Sequence, residues 1–376
     1  MSKDFSNWCP EVYRSLFVDR INDNKIKIAP CCQAQPSTTP LDQFSFETDV
    51  HLNLIRQKFN NNLKATECSR CWNDEKLGKK SRRQSAIEFF NFEHPDYTVK
   101  LESLDHSATW ACNLSCVMCG PDNSSTWAKE LNLTADQLYS IGRKYQKNND
   151  FLNNLDLTAI KKIHFNGGEP LINNEQLSLL QKLDDLDVLK NVFISYNTNG
   201  TIIPSDSITH YWSKARLVKL FFSIDAIGPA FEYIRWPATW GQTENNILTL
   251  KKTLSSNVMF GINVTVGTYN VFELCNVDNW FEEHLLTNRE GDESDFNVQF
   301  AYNYDLKFLP TELKQIAIDQ LSKKQRLIGV AEYLKSTMNT AANQLWINQL
   351  TSIDNRRNSS WANSLTIGQY YKDSKC

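Results

Sequence analysis

Hydrophobic and polar positions change their pattern near residue 100. Beyond it, short runs rich in β-branched and aromatic residues predict strands over 101–109, 160–166, 190–197, 217–224, 258–266 and 295–301. Amphipathic segments predict helices over 173–186, 242–256 and 311–350. Repeated strand-then-helix order is typical of a parallel sheet, so six such units predict an α/β fold with a partial (β/α)6 barrel.

The chain before this point has little regular periodicity. It predicts a short hairpin around 25–34 and a helix near 52–59. We interpret 1–95 as a small cysteine-rich domain organised by metal, 96–305 as the barrel, and 306–376 as a helical extension with a tail. The polar stretch 352–359 and the last residues are expected to be loosely held.

Composition excludes some partners. The 376 residues are 41% hydrophobic and carry a formal net charge of −3, which gives no overall attraction to nucleic acid or to an anionic membrane. There is no signal-peptide core at the start and no apolar run of the roughly 18 residues that span a bilayer. The sequence therefore predicts a cytoplasmic protein.

Ten cysteines in such a chain indicate metal binding more than disulfides, because the cytosol keeps thiols reduced. Five precede residue 75 and three fall between 112 and 119. Two thiolate groups are implied. Cys275 lies in a helical pattern and is expected in the core, and Cys376 is expected to be a disordered terminal thiol.

The second group, Cys112, Cys116 and Cys119, follows the first strand of the barrel region. Three thiolates spaced three and two residues apart can ligate three irons of a [4Fe–4S] cluster and leave the fourth iron open. The alternatives are a zinc site lacking one ligand, or cysteines clustered by chance.

This C-x3-C-x2-C motif resembles the signature of the radical S-adenosylmethionine (SAM) superfamily, and the resemblance covers about residues 100–300. It implies that the open iron chelates SAM, and that reductive cleavage yields methionine and a 5′-deoxyadenosyl radical that abstracts hydrogen. It also implies an electron donor such as flavodoxin or ferredoxin. Met118 departs from the aromatic residue that many members carry there.

Further strand ends resemble the SAM-binding elements of this superfamily. The GGEP, TNG and SIDA elements and the helix after them imply that SAM is bound by Gly167, Gly168, Glu169, Asn197, Ser223 and Arg235. Without the neighbouring motifs, Asn197 would be interpreted as a turn residue and Arg235 as a surface ion-pair residue. The strand residue His164 is expected to be a satisfied core side chain.

The amino-terminal cysteines resemble the auxiliary-cluster module called twitch, or SPASM in its two-cluster form. These are Cys9, Cys31, Cys32, Cys68 and Cys71. In most relatives the module follows the barrel, whereas here it precedes it. Five thiolates suit one auxiliary [4Fe–4S] cluster, with Cys9, Cys68, Cys71 and one of the adjacent pair as ligands. A structural zinc site is the alternative.

A basic run over 76–83 follows this module, and it predicts either a solvated face or a docking patch for an acidic peptide or phosphate. The predicted function is radical SAM chemistry on a peptide or protein side chain, because twitch and SPASM families are rich in such enzymes. The alternatives are a radical SAM enzyme acting on a nucleotide or sugar, or a non-enzymatic iron–sulfur protein. The sequence does not single out a catalytic acid or base.

Overall fold

The computed structural model describes residues 7–22, 24–76, 78, 80–140, 152, 155–172, 176–288 and 293–373. Its strands are β1 (Ser15–Asn22), β2 (Lys25–Ala29), β3 (Ser37–Pro40), β4 (Ser103–Thr109), β5 (Lys162–Gly167), β6 (Phe193–Thr198), β7 (Leu217–Ser223), β8 (Val258–Val266) and β9 (Asp295–Phe300). Its helices are α1 (Glu11–Arg14), α2 (Val50–Asn60), α3 (Ser69–Lys76), α4 (Arg82–Phe90), α5 (Ser125–Glu130), α6 (Ala135–Ser140), α7 (Leu177–Asp185), α8 (Asp206–Lys214), α9 (Gly228–Ile234), α10 (Trp240–Thr253), α11 (Leu274–His284), α12 (Thr311–Leu321), α13 (Ile328–Ser336), α14 (Leu345–Arg357), α15 (Trp361–Ser364) and α16 (Thr366–Asp373).

The chain divides into two compact units, each built from several stretches of sequence. The first unit comprises Met1–Trp110, Leu133–Tyr196 and Asp206–Val218, and the second comprises Ala111–Asn132, Asn197–Ser205 and Lys219–Cys376. The strands follow the order β3-β2-β1-β4-β5-β6-β7-β8-β9. The three-segment division predicted from the sequence stays a prediction.

Strand pairing confirms the predicted parallel α/β architecture. The pairs β1–β4, β4–β5, β5–β6 and β8–β9 are parallel, while β1–β2 and β2–β3 are antiparallel. All six predicted strands are present as β4 to β9, with ends shifted by no more than three residues. Apolar residues on alternate positions, such as Ile163 and Phe165 of β5, are buried and form the core beneath the helices.

The single helix predicted over 311–350 is wrong, because the chain forms α12, α13 and α14 there. Polar segments interrupt the apolar periodicity between them. The buried Lys314 ammonium donates to the carbonyl oxygens of Thr337 (2.7 Å) and Thr340 (3.1 Å), which stabilises the non-helical stretch after α13.

The loosely held tail predicted over 352–359 is also wrong. Most of it belongs to α14, and the carboxylate of Asp354 accepts hydrogen bonds from the Tyr233 hydroxyl (2.9 Å) and the backbone N–H of Trp361 (2.9 Å). The ring of Tyr370 on α16 packs 4.5 Å from the ring of Phe272. The polar composition predicted a loosely held segment, whereas these polar groups form hydrogen bonds inside the fold. Cys376 lies outside the described residues.

The amino-terminal predictions are confirmed in part. The strand at Lys25–Ala29 forms a hairpin, but its partner β1 was not predicted. The helix near 52–59 is α2, and the Asp49 side chain caps it by accepting from the N–H of Leu52. In the described part of the chain, no helix combines the length and the apolar character needed to cross a membrane.

Candidate functional site

The three motif cysteines lie in one loop of the second unit, ahead of α5. Cys116 is buried and Cys112 half-buried, and the backbone N–H of Cys119 donates to the Cys116 carbonyl oxygen at 3.0 Å. A hydrogen bond from the Cys119 thiol lowers the pKa of Cys116, and the same bond raises the pKa of Cys119. The arrangement therefore favours a thiolate at Cys116.

Backbone and side-chain groups fix the shape of this loop. The N–H groups of Ser115 and Val117 donate to the carbonyl oxygens of Trp236 (2.7 Å) and Ile234 (2.8 Å). The indole N–H of Trp127 donates to the Cys116 carbonyl oxygen at 2.8 Å. These bonds fix the backbone on both sides of Cys116.

Arg357, at the end of α14, braces the same loop, although the sequence reading placed it in a loose tail. Its Nη2 donates to the Ser115 carbonyl oxygen at 2.6 Å, and its Nε donates to Glu130 Oε1 at 3.0 Å. Its guanidinium lies 4.9 Å from the centre of the Trp127 ring. No local sequence signal marks this residue, because its partners lie more than 200 positions earlier.

Arg235 forms a buried ion pair with Asp225, with 2.6 Å between Nη2 and Oδ2. Asp225 Oδ1 accepts from the N–H of Thr265 at 2.7 Å, and Arg235 Nη1 lies 4.0 Å from Cys116 Sγ. Burial raises the pKa of Asp225, while the Arg235 guanidinium acts in the opposite direction. Arg235 therefore lies beside a motif thiol, and its assignment to a SAM carboxylate stays a prediction.

Asn197 and Ser223 end neighbouring strands. The side-chain amide of Asn263 donates to Asn197 Oδ1 at 2.8 Å, and Ser223 is half-buried. The sequence reading missed a second contact, in which the amide of Asn199 donates to Asn113 Oδ1 at 2.9 Å. Both asparagines lie inside motifs that the sequence analysis identified, so their positions in these motifs could have predicted the contact.

In the first unit, β5 ends in the Gly-Gly-Glu-Pro turn. Gly167 has a φ of 108°, a conformation that side chains disfavour, so glycine suits this position. Glu169 is buried, and its Oε1 accepts from the N–H of Leu171 at 3.0 Å. The turn thus fixes the direction of the carboxylate that was predicted to bind an ammonium group.

Four of the five amino-terminal cysteines line one pocket in the first unit. The pocket is bordered by Cys9, Cys31, Cys68 and Cys71, together with Glu11. Cys9 precedes α1, Cys31 follows β2, Cys68 immediately precedes α3, and Cys71 lies in the first turn of α3. Folding of β1 and β2 therefore brings together thiols that are far apart in sequence.

Burial raises the pKa of all four pocket thiols, that of Cys68 to about 12. The negative charges of Glu11 and of neighbouring thiols add to the effect at Cys9 and Cys68. Four thiolates therefore need a positive group in the pocket, and a metal centre supplies one.

The adjacent cysteines Cys31 and Cys32 point in different directions. Cys31 borders the pocket, while Cys32 is exposed and its sulfur accepts from Arg82 Nη1 at 3.1 Å. The Nε of Arg82 donates to both carboxylate oxygens of Glu11 at 3.0 Å. Both residues lie in the turn after β2, in which the Cys31 carbonyl oxygen accepts from the N–H of Ala34 at 3.2 Å, so the alternation expected of an extended segment does not account for the split.

These contacts also bear on the basic run at 76–83. Arg83 Nη2 lies 2.8 Å from Glu75 Oε2, and its side chain is 9% exposed. Lys80 pairs with Glu88 at 2.6 Å. Arg82 and Arg83 thus bind groups within the first unit, which argues against a free docking patch. Lys79 lies outside the described residues.

The residues present fit iron–sulfur ligation by their chemistry. Three thiols share one loop and four others surround one pocket, and thiolates are the usual ligands of iron–sulfur clusters. Within the described ranges, no three or more His, Cys, Asp and Glu side chains are grouped to hold a single metal ion.

Comparisons with known proteins place these features in context. No protein-family model matches the chain. It is similar to human "Molybdenum cofactor biosynthesis protein 1", with 29% identity over 154 residues, which cover 40% of this chain and 22% of that protein. It is also similar to the probable GTP 3′,8-cyclase of Methanothermobacter marburgensis, with 29% identity over 136 residues, or 36% of this chain and 39% of that protein. The chain thus spans less than half the length of either relative.

Solved structures show weaker similarity. The structure titled "Native anSMEcpe with bound AdoMet" has 21% identity and a TM-score of 0.40, covering 60% of this chain and 61% of that one. "Crystal structure of Streptococcus suis SuiB bound to precursor peptide SuiA" has 14% identity and a TM-score of 0.36, covering 81% and 70%.

The cysteine motif and the similarity to the curated relatives support the assignment of the chain to the radical SAM class of enzymes. This class implies a [4Fe–4S] cluster and SAM as cofactors.

Proposed function

We propose that this enzyme cleaves SAM reductively at a cluster held by Cys112, Cys116 and Cys119, and acts on a peptide or protein side chain. When bound and reduced, that cluster supplies the electron that converts SAM to methionine and a 5′-deoxyadenosyl radical. The observation that carries the proposal is the single braced loop in which all three thiols lie, with Arg235 4.0 Å from Cys116 Sγ.

The predicted SAM-binding residues keep their assignments within this proposal. In the first unit these are Gly167, Gly168 and Glu169, and the rigid turn around Glu169 supports its role as acceptor for the SAM ammonium group. In the second unit they are Asn197, Ser223 and Arg235. The contact of Arg235 with Cys116 supports a further role, in which its charge stabilises a thiolate ligand.

An auxiliary [4Fe–4S] cluster in the first unit is the second part of the proposal. Cys9, Cys31, Cys68 and Cys71 would hold it, because these four thiols border one pocket while Cys32 is exposed. Flavodoxin or ferredoxin would deliver electrons. Structural zinc is the alternative, although the described side chains are not grouped around a single ion as they stand.

The peptide substrate rests on the resemblance of the amino-terminal module to twitch and SPASM modules. A small-molecule substrate such as a nucleotide is the second candidate. The observation that favours it is the similarity to proteins named GTP 3′,8-cyclase.

SAM cleavage is the direct test. Anaerobically reconstituted, dithionite-reduced protein should release 5′-deoxyadenosine, measured by chromatography and mass spectrometry. Replacing Cys112, Cys116 and Cys119 with alanine should abolish release, because three irons lose their ligands.

The matched control is Cys275→Ala, since this half-buried thiol on α11 lies outside both cysteine groups. We expect it to release 5′-deoxyadenosine like the wild type. If the triple variant remains active, the cluster assignment is wrong.

A further inference from the structure

A row of polar side chains crosses three parallel strands of the first unit. Asp105 on β4 is in register with His164 on β5, and His164 is in register with Ser195 on β6. Residues in register on neighbouring strands share one face of the sheet. His164 Nδ1 and Ser195 Oγ are 2.8 Å apart, so two members of the row are already joined. The hydrogen bond to Ser195 satisfies one ring nitrogen of His164, as expected of a satisfied histidine.

Asp105 supplies the unsatisfied group of this row. Its side chain is buried, with a relative exposure of 8%, and its Oδ1 has no hydrogen-bond partner among the described residues. Its ion pair with Arg82 is long, with 3.9 Å between Arg82 Nη2 and Asp105 Oδ2. Burial raises its pKa to about 6, so the carboxylate is ionised at pH 7.5. A buried acceptor without a partner is costly, so an N–H group that reached Asp105 Oδ1 would be stabilised there.

Lys162 supplies a donor on the same face. It is two residues before His164 on β5, and its ammonium lies 4.7 Å from the centre of the Phe89 ring. Burial lowers its pKa, and the positive charge of Arg82 acts in the same direction. A ligand oxygen would therefore gain a strong donor at Lys162.

The charges around the row balance. Arg82 and Lys162 are positive, while Glu11 and Asp105 are negative, and Arg82 is held by two hydrogen bonds to Glu11. A ligand with net charge would leave that charge uncompensated in a buried place. A neutral group that offers both an N–H and a C=O would satisfy both side chains at no such cost.

We propose that this row binds an amide group of a peptide substrate, with the amide N–H on Asp105 Oδ1 and the amide C=O on Lys162 Nζ. The inference rests on the proposed function and names the recognition site for its substrate. It also separates the two candidate substrates, because a nucleotide triphosphate would bring several negative charges to a row whose two cations are already balanced.

Peptide capture tests this site. Full-length reconstituted protein on a resin is incubated anaerobically with a random pool of blocked heptapeptides, Ac-Ala-X5-Ala-NH2, and separately with the four nucleoside triphosphates. Retained molecules are counted by mass spectrometry. We expect the wild type to retain a subset of peptides, and Asp105→Asn and Lys162→Met each to lower that retention about tenfold, since each loses one charge-assisted hydrogen bond.

Matched controls are Asp156→Asn and Lys190→Met, which change exposed residues of the same unit. Both should retain peptides like the wild type. Melting temperatures identify a variant that fails to fold. If either Asp105→Asn or Lys162→Met does not fold, the retention of peptides by the other variant tests the site. Absence of retained peptide, equal retention by all variants, or retention of nucleotides that depends on Asp105 and Lys162 would each refute the inference.

Release of 5′-deoxyadenosine is measured on the same preparations, so the two proposals fail separately. A protein that cleaves SAM but captures no peptide refutes only the amide site. A protein that captures peptides through Asp105 but never cleaves SAM refutes only the proposed function.

Discussion

At the scale of single residues, the adjacent cysteines show how backbone geometry assigns different surroundings to identical side chains. Cys31 borders the thiol pocket, and Cys32 is exposed beside Arg82. The sequence predicted that one of the two faces inward but did not decide which, and the two residues lie in a turn, where side chains do not alternate as they do along a strand. The Cys31 carbonyl oxygen accepts from the N–H of Ala34 at 3.2 Å, and this turn sets the direction of each thiol.

Serine substitution tests this assignment. Cys31→Ser should lose the iron of the auxiliary cluster, because a pocket ligand is removed, while Cys32→Ser should keep it. Iron per chain and the visible absorbance of the anaerobic protein are the measurements. Cys32→Ser serves as the matched control for Cys31→Ser, since it makes the same substitution at the adjacent residue. Full iron in both variants would refute the four-thiol assignment.

At the scale of elements, the central strands were predicted well because each carries its own apolar signal. The six strands β4 to β9 and helix α2 follow from local pattern alone. The end of α14 did not follow from local pattern, since its polar residues predicted a loosely held tail. Arg357 is 3% exposed there, and its Nε and Nη2 donate to Glu130 and to the Ser115 carbonyl oxygen. No local pattern encodes these contacts.

We expect α14 to stabilise the cysteine loop through Arg357. Arg357→Met should lower the free energy of unfolding by about 3 kcal/mol, because it leaves the Glu130 carboxylate without its buried partner. It should also speed the loss of iron to a chelator in the reconstituted protein. Chemical denaturation followed by tryptophan fluorescence, and chelator absorbance over time, measure the two effects.

The neighbouring Arg356 is the matched control for this test. Its side chain is 31% exposed and its Nε lies 3.6 Å from Glu130 Oε1, so Arg356→Met should cost less than about 1 kcal/mol. Adding Glu130→Leu to Arg357→Met should recover part of the loss, because both charges are then absent. Equal effects of the two arginine substitutions would contradict a specific brace at Arg357.

At the scale of the whole molecule, the two thiol groups belong to different compact units, and the metal content should therefore divide between them. The motif cysteines lie in the second unit and the pocket cysteines in the first. If each unit holds one [4Fe–4S] cluster, the reconstituted protein contains about eight irons per chain. Cys68→Ala with Cys71→Ala should leave about four, and so should the triple alanine variant of Cys112, Cys116 and Cys119.

Metal analysis by plasma mass spectrometry separates the alternatives. About four irons with one zinc in the wild type would support the zinc site instead of the auxiliary cluster. The Cys68 and Cys71 variant also gives a functional contrast, because its second unit keeps the motif loop intact. We expect it to retain SAM cleavage to 5′-deoxyadenosine, whereas the triple variant should lose cleavage and keep the iron of the first unit. Loss of all iron in either variant would show that neither centre assembles independently of the other, contrary to the division into two units.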